Sequence, residues 1–135
     1  MRVVLDTNVL IAFLLTRGHT MSAILDEWER GEFALVTSPA LIAEVRRTLE
    51  KPGLRQHIRP EAAQALLEAL AEDAIHTPGA LELYGVTPDP DDDKIVSCAV
   101  EGNADVVVSR GAHLLGLKEY EGIRIVEPVE FVQLY

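Results

Sequence analysis

The sequence has one cysteine, few aromatic residues and no long apolar run, and these shortages exclude several classes of protein. Cys98 alone cannot form an internal disulfide, which argues against a disulfide-rich secreted scaffold and favours a cytoplasmic location. The longest apolar run, residues 9–15, is far too short for a membrane span, and the N-terminus lacks a signal-peptide pattern. Apolar residues still make up 48% of the 135 residues, enough for one domain with its own core over residues 1–135.

Basic residues are also scarce. The 12 Lys and Arg against 22 Asp and Glu give a net charge of −10, which argues against a broad basic face for nucleic acid. A nuclease whose acids surround cations is not excluded, because a bound divalent ion reverses the local field. One stretch is basic, with Arg46, Arg47, Lys51, Arg55, His57 and Arg59. A solvated helix end is the favoured interpretation of that stretch, and a rim that holds a phosphate backbone is the alternative.

Several motifs of known catalytic sites are missing. No glycine-rich loop follows the first predicted strand, which argues against a dinucleotide or P-loop site, and there is no serine nucleophile elbow. The histidines have no zinc-ligand spacing with each other or with Cys98, which itself lies in an apolar helix pattern typical of core packing. Any metal bound through the acids alone would have oxygen ligands, and these favour Mg²⁺ or Mn²⁺.

Short β-branched runs alternate with amphipathic stretches along the chain. Strands are predicted at residues 2–6, 33–36, 105–109 and 123–126, with a further short one at 74–77. Helices are predicted at 8–15, from Thr20 or Ser22 to Gly31, from Pro39 to Pro52, and at 60–73, 90–101 and 128–134, with a turn at 111–117. Residues 17–19 and 78–90 are predicted as loops. This alternation predicts an α/β fold, a mainly parallel sheet of four to five strands covered on both faces.

Asp6 ends the first predicted strand. Thr7 and Asn8, which follow it, are good residues for starting a helix. In open α/β sheets the carboxyl ends of the strands are where ligands bind, and a carboxylate there is costly to bury unless it is paired or bound to metal. A helix cap and a ligand in a pocket are therefore both open interpretations of Asp6.

Two further acids have informative positions. Asp92 shares one helical face with apolar residues Ile95, Val96, Ala99 and Val100, so it should point inward from the first turn, with Asp93 about a quarter turn away. Helix capping and the helix dipole account well for Asp89, Asp91 and Asp93, but less well for an inward Asp92. Glu44 flanks the apolar stripe of its helix, and by itself it has the pattern of a surface glutamate.

Six segments together carry a family resemblance: 3–11 (VVLDTNVLI), 37–45 (TSPALIAEV), 89–99 (DPDDDKIVSCA), 103–109 (NADVVVS), 113–117 (HLLGL) and 122–131 (GIRIVEPVEF). In order and spacing they resemble the PIN domain, and the last is similar to PIN-family toxins of bacterial toxin–antitoxin systems. The resemblance implies a three-layer α/β/α fold and a metal-dependent ribonuclease. It also implies an antitoxin protein as partner and a homodimer, with no role for a membrane.

The resemblance also implies roles for particular residues. Asp6, Glu44 and Asp92 match the family's acids and are expected to be the catalytic metal ligands for Mg²⁺ or Mn²⁺. Asn8 and Ser109 match polar positions that line the same pocket. Apart from the resemblance, Asp89 and Asp93 are candidate outer-shell ligands because they are close to Asp92 in sequence. Arg46 and Arg47 of the basic stretch and Arg110 are candidate phosphate contacts, although a solvated arginine is the simpler interpretation of Arg110.

Gly111 departs from the family pattern. Relatives place an aspartate two residues after the position of Ser109, and here that position is glycine. Asp105 is no substitute, because it lies at the opposite end of its strand. The departure predicts a single-metal nuclease of reduced activity, or one that needs the substrate phosphate to complete the coordination.

Three functions agree with this pattern. The first is an RNA-cleaving toxin, and the second is a PIN fold that binds RNA or protein without catalysis, which Gly111 supports. The third is a small metal-dependent phosphohydrolase that acts on nucleotides or phosphate esters. Cleavage of RNA with added Mn²⁺ would separate the three.

Overall fold

A computed structural model describes residues 1–15 and 18–135, and its centre is a six-stranded sheet. The strands are β1 (Arg2–Leu5), β2 (Ala34–Thr37), β3 (Ala74–His76), β4 (Val106–Val108), β5 (Glu119–Tyr120) and β6 (Ile123–Val126). Their order is β3-β2-β1-β4-β6-β5, with β5 antiparallel to β6 and the other neighbouring pairs parallel. The predicted, mainly parallel sheet is confirmed. The additional strand, β5, has two residues and is too short for a period-2 pattern.

Eight helices lie in the described part of the chain. They are α1 (Thr7–Leu15), α2 (His19–Glu29), α3 (Pro39–Leu49), α4 (Pro52–Arg55), α5 (Pro60–Glu72), α6 (Pro90–Glu101), α7 (Ala112–Leu115) and α8 (Pro128–Leu134). Arg17 of the predicted loop 17–19 lies outside the described residues. His19 of that predicted loop is the first residue of α2. Gly18 is the N-cap of this helix and provides no side-chain cap. Pro52 opens α4 besides following α3, as expected of proline at a first helical position.

Helices cover both faces of the sheet and complete the three-layer α/β/α architecture. Val3 and Leu5 of β1 face a core formed with α1, α2, α5 and α8. Val4, between them, faces a second core formed with α6 and α7. Cys98 lies in this second core as a buried free thiol, and burial raises its pKa to about 11, with the nearby Ser38 hydroxyl opposing the shift. This agrees with its predicted role in core packing.

None of the described helices is by itself long and apolar enough to cross a membrane. Helices α1 and α2 have the length and apolar composition of a membrane span only when they are taken together, and they are bent relative to each other by 107°. Both contribute to the core, through residues such as Val9, Phe13 and Ile24.

The order of the strands reverses between β1 and β4. From β1 the chain continues to β2 and β3 on one side, whereas β4 is followed by β6 on the other. The backbone N–H of Asp6 donates to Val108 at 3.0 Å, so the carboxyl ends of β1 and β4 lie side by side. A crevice at such a reversal is the usual ligand site of an open α/β sheet.

Candidate metal centre

A cleft of about 290 Å³ opens at the carboxyl ends of β1 and β4. Its walls come from the start of α1, the middle of α3, the start of α6 and the start of α7. The lining residues are Asp6, Thr7, Asn8, Glu44, Asp89, Asp91, Asp92, Gly111, Ala112 and His113. The structure therefore brings together the three acids that the sequence selects, and adds two more carboxylates and one imidazole.

Asp6 lies at the bottom of this cleft with only 7% of its surface exposed. Its backbone carbonyl accepts the first hydrogen bonds of α1, and its carboxylate accepts one from the Ser109 hydroxyl at 2.7 Å. Burial raises the pKa of Asp6, while hydrogen bonds from Ser109 and from the backbone N–H groups of Asn8 and Thr7 oppose the shift. Asp6 therefore starts a helix and also presents a carboxylate to the cleft.

Glu44 reaches the cleft from α3 and is held by a neighbour. The Thr7 hydroxyl donates to its Oε2 at 2.9 Å. Burial raises the pKa of Glu44, with added repulsion from Asp91 and Asp6, and the bond from Thr7 opposes the shift. The sequence marked Thr7 only as a helix starter. Its role in orienting Glu44 depends on the packing of α1 against α3, which no local pattern contains.

Asp92 lies in the first turn of α6, and its side chain is 20% exposed toward the cleft. Burial raises its pKa to about 6, and the charges of Asp89 and Asp6 add to the shift. His113 opposes it, with Nδ1 at 3.8 Å from Oδ2 of Asp92. Asp92 is thus repelled by neighbouring carboxylates, and the His113 imidazole partly offsets this repulsion.

Asp93 is more deeply buried than Asp92, although the sequence placed it about a quarter turn from the inward face of the helix. Only 5% of its surface is exposed, and it accepts hydrogen bonds from the Thr87 N–H at 2.7 Å, the Gly85 N–H at 3.0 Å and the Thr87 hydroxyl. Burial raises its pKa, but these bonds outweigh that effect and the pKa is lowered. Its oxygens bind the segment before α6 rather than facing the cleft. Asp89 does line the cleft, while also accepting the Asp91 N–H as N-cap of α6.

The remaining predicted residues lie around the cleft. Asn8 is exposed at its edge, and Ser109 is fully buried beneath Asp6. Among the described residues that line the cleft there is no arginine. Arg46 lies on a separate groove with Arg55, and the charge of Arg47 acts on Glu44. The three predicted phosphate-binding arginines, Arg46, Arg47 and Arg110, are all exposed outside the acidic cleft.

Gly111 forms part of the cleft wall where the sequence predicts a missing acid. Its N–H donates to the Ser109 hydroxyl at 2.9 Å, and its backbone is extended at φ −78° and ψ 133°. In the described structure, the nearest atom to a Cβ built at this position is Ser109 Oγ, at 3.4 Å. The backbone could carry an aspartate, so the open space here results from the sequence and not from the fold.

His113 is a cleft residue to which the sequence assigned no role in the site. Its segment, HLLGL, carries family resemblance, but the histidine has no zinc-ligand spacing in the sequence. Its partners in the structure come from the start of α6. Asp89, Asp92 and His113 each offer one ligand atom, and these atoms lie within 4.8 Å of one another. Two carboxylates and an imidazole, beside the carboxylates of Asp6 and Glu44, fit a divalent cation, since a cation relieves the repulsion that raises the acids' pKa values.

Comparison with known proteins agrees with this architecture. Residues 2–113 match the model of the PIN domain family. Over 142 aligned positions the chain is 25% identical to the uncharacterized protein MJ1680 of Methanocaldococcus jannaschii, which covers 98% of this chain and 90% of that protein.

Solved structures with the same fold include VapBC2 from Rickettsia felis bound to a promoter DNA fragment, with a TM-score of 0.65 and 14% identity over 94% of this chain and 98% of that one. FitAcB from Neisseria gonorrhoeae has a TM-score of 0.57 and 17% identity, with the same coverage of 94% and 98%. The PIN domain of human SMG5 has a TM-score of 0.51 and 18% identity over 98% of this chain and 97% of that one. With the family match over most of its length, the chain belongs to the PIN domain family, whose members are generally nucleases.

Proposed function

We propose that this protein is a metal-dependent ribonuclease in which Asp6, Glu44 and Asp92 hold Mg²⁺ or Mn²⁺ and water cleaves a phosphodiester bond of RNA. The observation that carries the proposal is the convergence of these three acids in one cleft at the point where the strand order reverses. The three acids are far apart in the sequence, at positions 6, 44 and 92 of a PIN fold, and none of them is part of the hydrophobic core.

The residues of the cleft prepare it for a cation. Ser109 fixes one oxygen of Asp6 and Thr7 fixes one oxygen of Glu44, so two carboxylates are oriented in advance. Asp89 and Asp6 repel Asp92, which lowers the stability of the ionised cleft without a cation. A bound divalent cation would lower the pKa of a water molecule and offset charge on the attacked phosphate.

RNA would approach from outside the acidic cleft. The net charge of −10 disfavours a long electrostatic contact, so binding would depend on a few arginines near the site. Arg47, whose charge reaches Glu44, and Arg46 are exposed on α3, and Arg110 is exposed beside Gly111. These three side chains are the proposed phosphate contacts.

We also propose an antitoxin partner and a homodimer. The fold likeness to VapBC2 and FitAcB supports a toxin role, and exposed apolar side chains on α8, Val129 and Leu134, support contact with a second chain. Light scattering of the purified chain would measure the oligomer, and co-purification with the product of an adjacent gene would test the partner. A monomer at micromolar concentration that captures no such product would contradict both.

The ribonuclease proposal is tested by incubating a mixed single-stranded RNA with the wild type, Asp6→Asn and Gly111→Asp, with Mn²⁺ or with EDTA. We expect cleavage by the wild type in Mn²⁺ and a loss on the order of a hundredfold in Asp6→Asn. Gly111→Asp should cleave faster, because the backbone at 111 accepts a side chain without a clash. Equal cleavage by Asp6→Asn and the wild type would show that the ligand assignment is wrong.

The same assay distinguishes the two alternatives. An inert wild type with an active Gly111→Asp would favour a PIN fold that binds RNA or protein without catalysis. Turnover of a small phosphodiester such as bis(p-nitrophenyl) phosphate, without cleavage of RNA, would favour a phosphohydrolase.

A further inference from the structure

We propose that His113 is a metal ligand, and that with Asp89 and Asp92 it takes the place of the acid missing at Gly111. The resulting site has mixed oxygen and nitrogen ligands and selects a divalent transition metal such as Mn²⁺ over Mg²⁺. The inference rests on the proposed function for one point, that a divalent cation binds in this cleft.

Distances between the ligand atoms carry the first step. One atom from each of Asp89, Asp92 and His113 lies within 4.8 Å of the other two, and Nδ1 of His113 is 3.8 Å from Oδ2 of Asp92. Two ligands of one octahedral ion at about 2.1 Å are about 3 Å apart when adjacent and about 4.2 Å apart when opposite. The His113 side chain is 53% exposed, so a small rotation can bring its ring nitrogen to a ligand position.

The backbone under these three residues is fixed. Leu114, next to His113, is completely buried, and Gly111, the N-cap of α7, donates its N–H to the Ser109 hydroxyl. Asp89 is the N-cap of α6, and its own N–H donates to the Thr87 hydroxyl. The starts of two helices, α6 and α7, therefore present the ligands to the cleft.

Chemistry decides which ion such a site prefers. Mg²⁺ binds oxygen ligands and keeps several water molecules, whereas transition-metal ions also accept imidazole nitrogen. With His113 as a ligand instead of the family's aspartate, the site has one negative charge fewer and one nitrogen donor more. Affinity for Mg²⁺ should fall more than affinity for Mn²⁺, because only Mn²⁺ recovers binding energy from the nitrogen.

The first test is pulsed electron paramagnetic resonance of the wild type loaded with Mn²⁺, without RNA. A directly bound imidazole gives ¹⁴N modulation of the spin echo, and we expect this signal in the wild type and its loss in His113→Gln. His57→Gln changes an exposed histidine that does not line the cleft and should keep the signal. Absence of ¹⁴N modulation from the wild type overturns the inference.

Calorimetric titration with Mn²⁺ and Mg²⁺ separates a ligand from a mere charge partner. If His113 binds the ion, His113→Gln should lower Mn²⁺ affinity on the order of tenfold or more and leave Mg²⁺ affinity nearly unchanged. If His113 only pairs with Asp92 as a cation, its removal would raise or preserve both affinities equally, and the inference fails. The double variant Gly111→Asp with His113→Gln should restore an all-oxygen site and move the preference toward Mg²⁺.

Failure of the ribonuclease proposal would be distinguishable from failure of this one. A wild type that shows ¹⁴N modulation but does not cleave RNA keeps the ligand and contradicts the ribonuclease. A wild type that cleaves RNA without ¹⁴N modulation keeps the ribonuclease and contradicts the ligand.

Discussion

Asp6 shows how one residue can serve both a helix and a cleft. Its backbone carbonyl accepts the first hydrogen bonds of α1, while its carboxylate is held by Ser109 at the bottom of the acidic cleft. The cap and the pocket were alternatives from the sequence, and the structure combines them, because the Asp6 carboxylate accepts backbone N–H groups at the start of α1 as well as the Ser109 hydroxyl. Because both depend on the strand ending at Leu5, a shift of one residue in β1 would abolish both.

Replacement of Thr7 by Val tests the support of Glu44. Valine keeps the shape of threonine but cannot donate to Glu44 Oε2, so the carboxylate loses a bond that favours its charged form. We expect Mn²⁺ affinity at neutral pH to fall on the order of tenfold, as measured by calorimetry, with the fold retained.

The matched control is Thr77→Val, which changes another buried threonine outside the cleft. It should leave Mn²⁺ affinity unchanged. An equal loss of affinity in both variants would mean that the effect of Thr7→Val comes from general destabilisation rather than from Glu44.

At the scale of elements, α6 organises the irregular segment 79–87. Side chains four residues apart on this helix, Asp93, Ser97 and Glu101, accept hydrogen bonds from backbone N–H groups of the segment. Such spacing places the three side chains on one face of the helix. The helix therefore binds the backbone of this segment through a row of hydrogen bonds. After the segment, the chain continues to Asp89 at the cleft.

Asp93→Asn should loosen this segment. The amide of asparagine replaces one acceptor oxygen by a donor, so it cannot accept all the bonds from Gly85 and Thr87. We expect amide hydrogen exchange at these two residues to accelerate on the order of tenfold, with weaker binding of Mn²⁺ because Asp89 loses its support.

Asp26→Asn, on the exposed side of α2, provides the control and should change neither property. Unchanged exchange at Gly85 and Thr87 in Asp93→Asn would show that the segment is held by its remaining contacts, and the assigned role of Asp93 would be wrong.

The elements that could be predicted from the sequence are those with their own periodic signal. β1, β4 and α6 lie where β-branched runs and helical spacing put them, and Ser38, directly before the predicted helix start at Pro39, caps α3 with its hydroxyl accepting the Leu41 N–H. β5 and the early start of α2 have no such signal. The roles of Thr7, Asp93 and His113 depend on partners distant in sequence or on an irregular segment, so no local pattern could have assigned them.

At the scale of the whole molecule, negative charge is concentrated in the cleft at the carboxyl ends of β1 and β4. Five carboxylates line one cleft in a chain of net charge −10, and the pKa values of Asp6, Glu44 and Asp92 are all raised. Raised values mean that the folded protein keeps protons that the unfolded chain has already released. Without metal, these groups therefore stabilise the fold fully only below their ordinary pKa values, and the contribution is lost as pH rises through the raised ones.

Thermal unfolding in EDTA should show this loss between about pH 4 and about pH 6, the interval between the ordinary and the raised pKa of Asp92. For Asp92, a shift from 3.8 to about 6 corresponds to at most about 3 kcal/mol, and solvent screening of a partly exposed carboxylate reduces this to about 1 kcal/mol, or about 4 °C in Tm. The new side chain in Asp92→Asn has no titratable proton to lose and stays neutral, so this variant should have a flatter pH profile and a higher Tm than the wild type at neutral pH without metal. Asp26→Asn should keep the wild-type profile.

Mn²⁺ should reverse the trend, because it binds the ionised acids and protons compete with it. Its stabilisation of the wild type should be larger at about pH 7 than at about pH 5, and should largely vanish in Asp92→Asn. If the Tm of Asp92→Asn in EDTA changed with pH as steeply as that of the wild type, repulsion around Asp92 would not limit the stability of the folded protein. If it also kept the full effect of Mn²⁺, the cation would bind elsewhere. A protein that is less stable with its site intact than with one acid removed, and that regains this stability with Mn²⁺, has a cleft whose acids serve the cation rather than the fold.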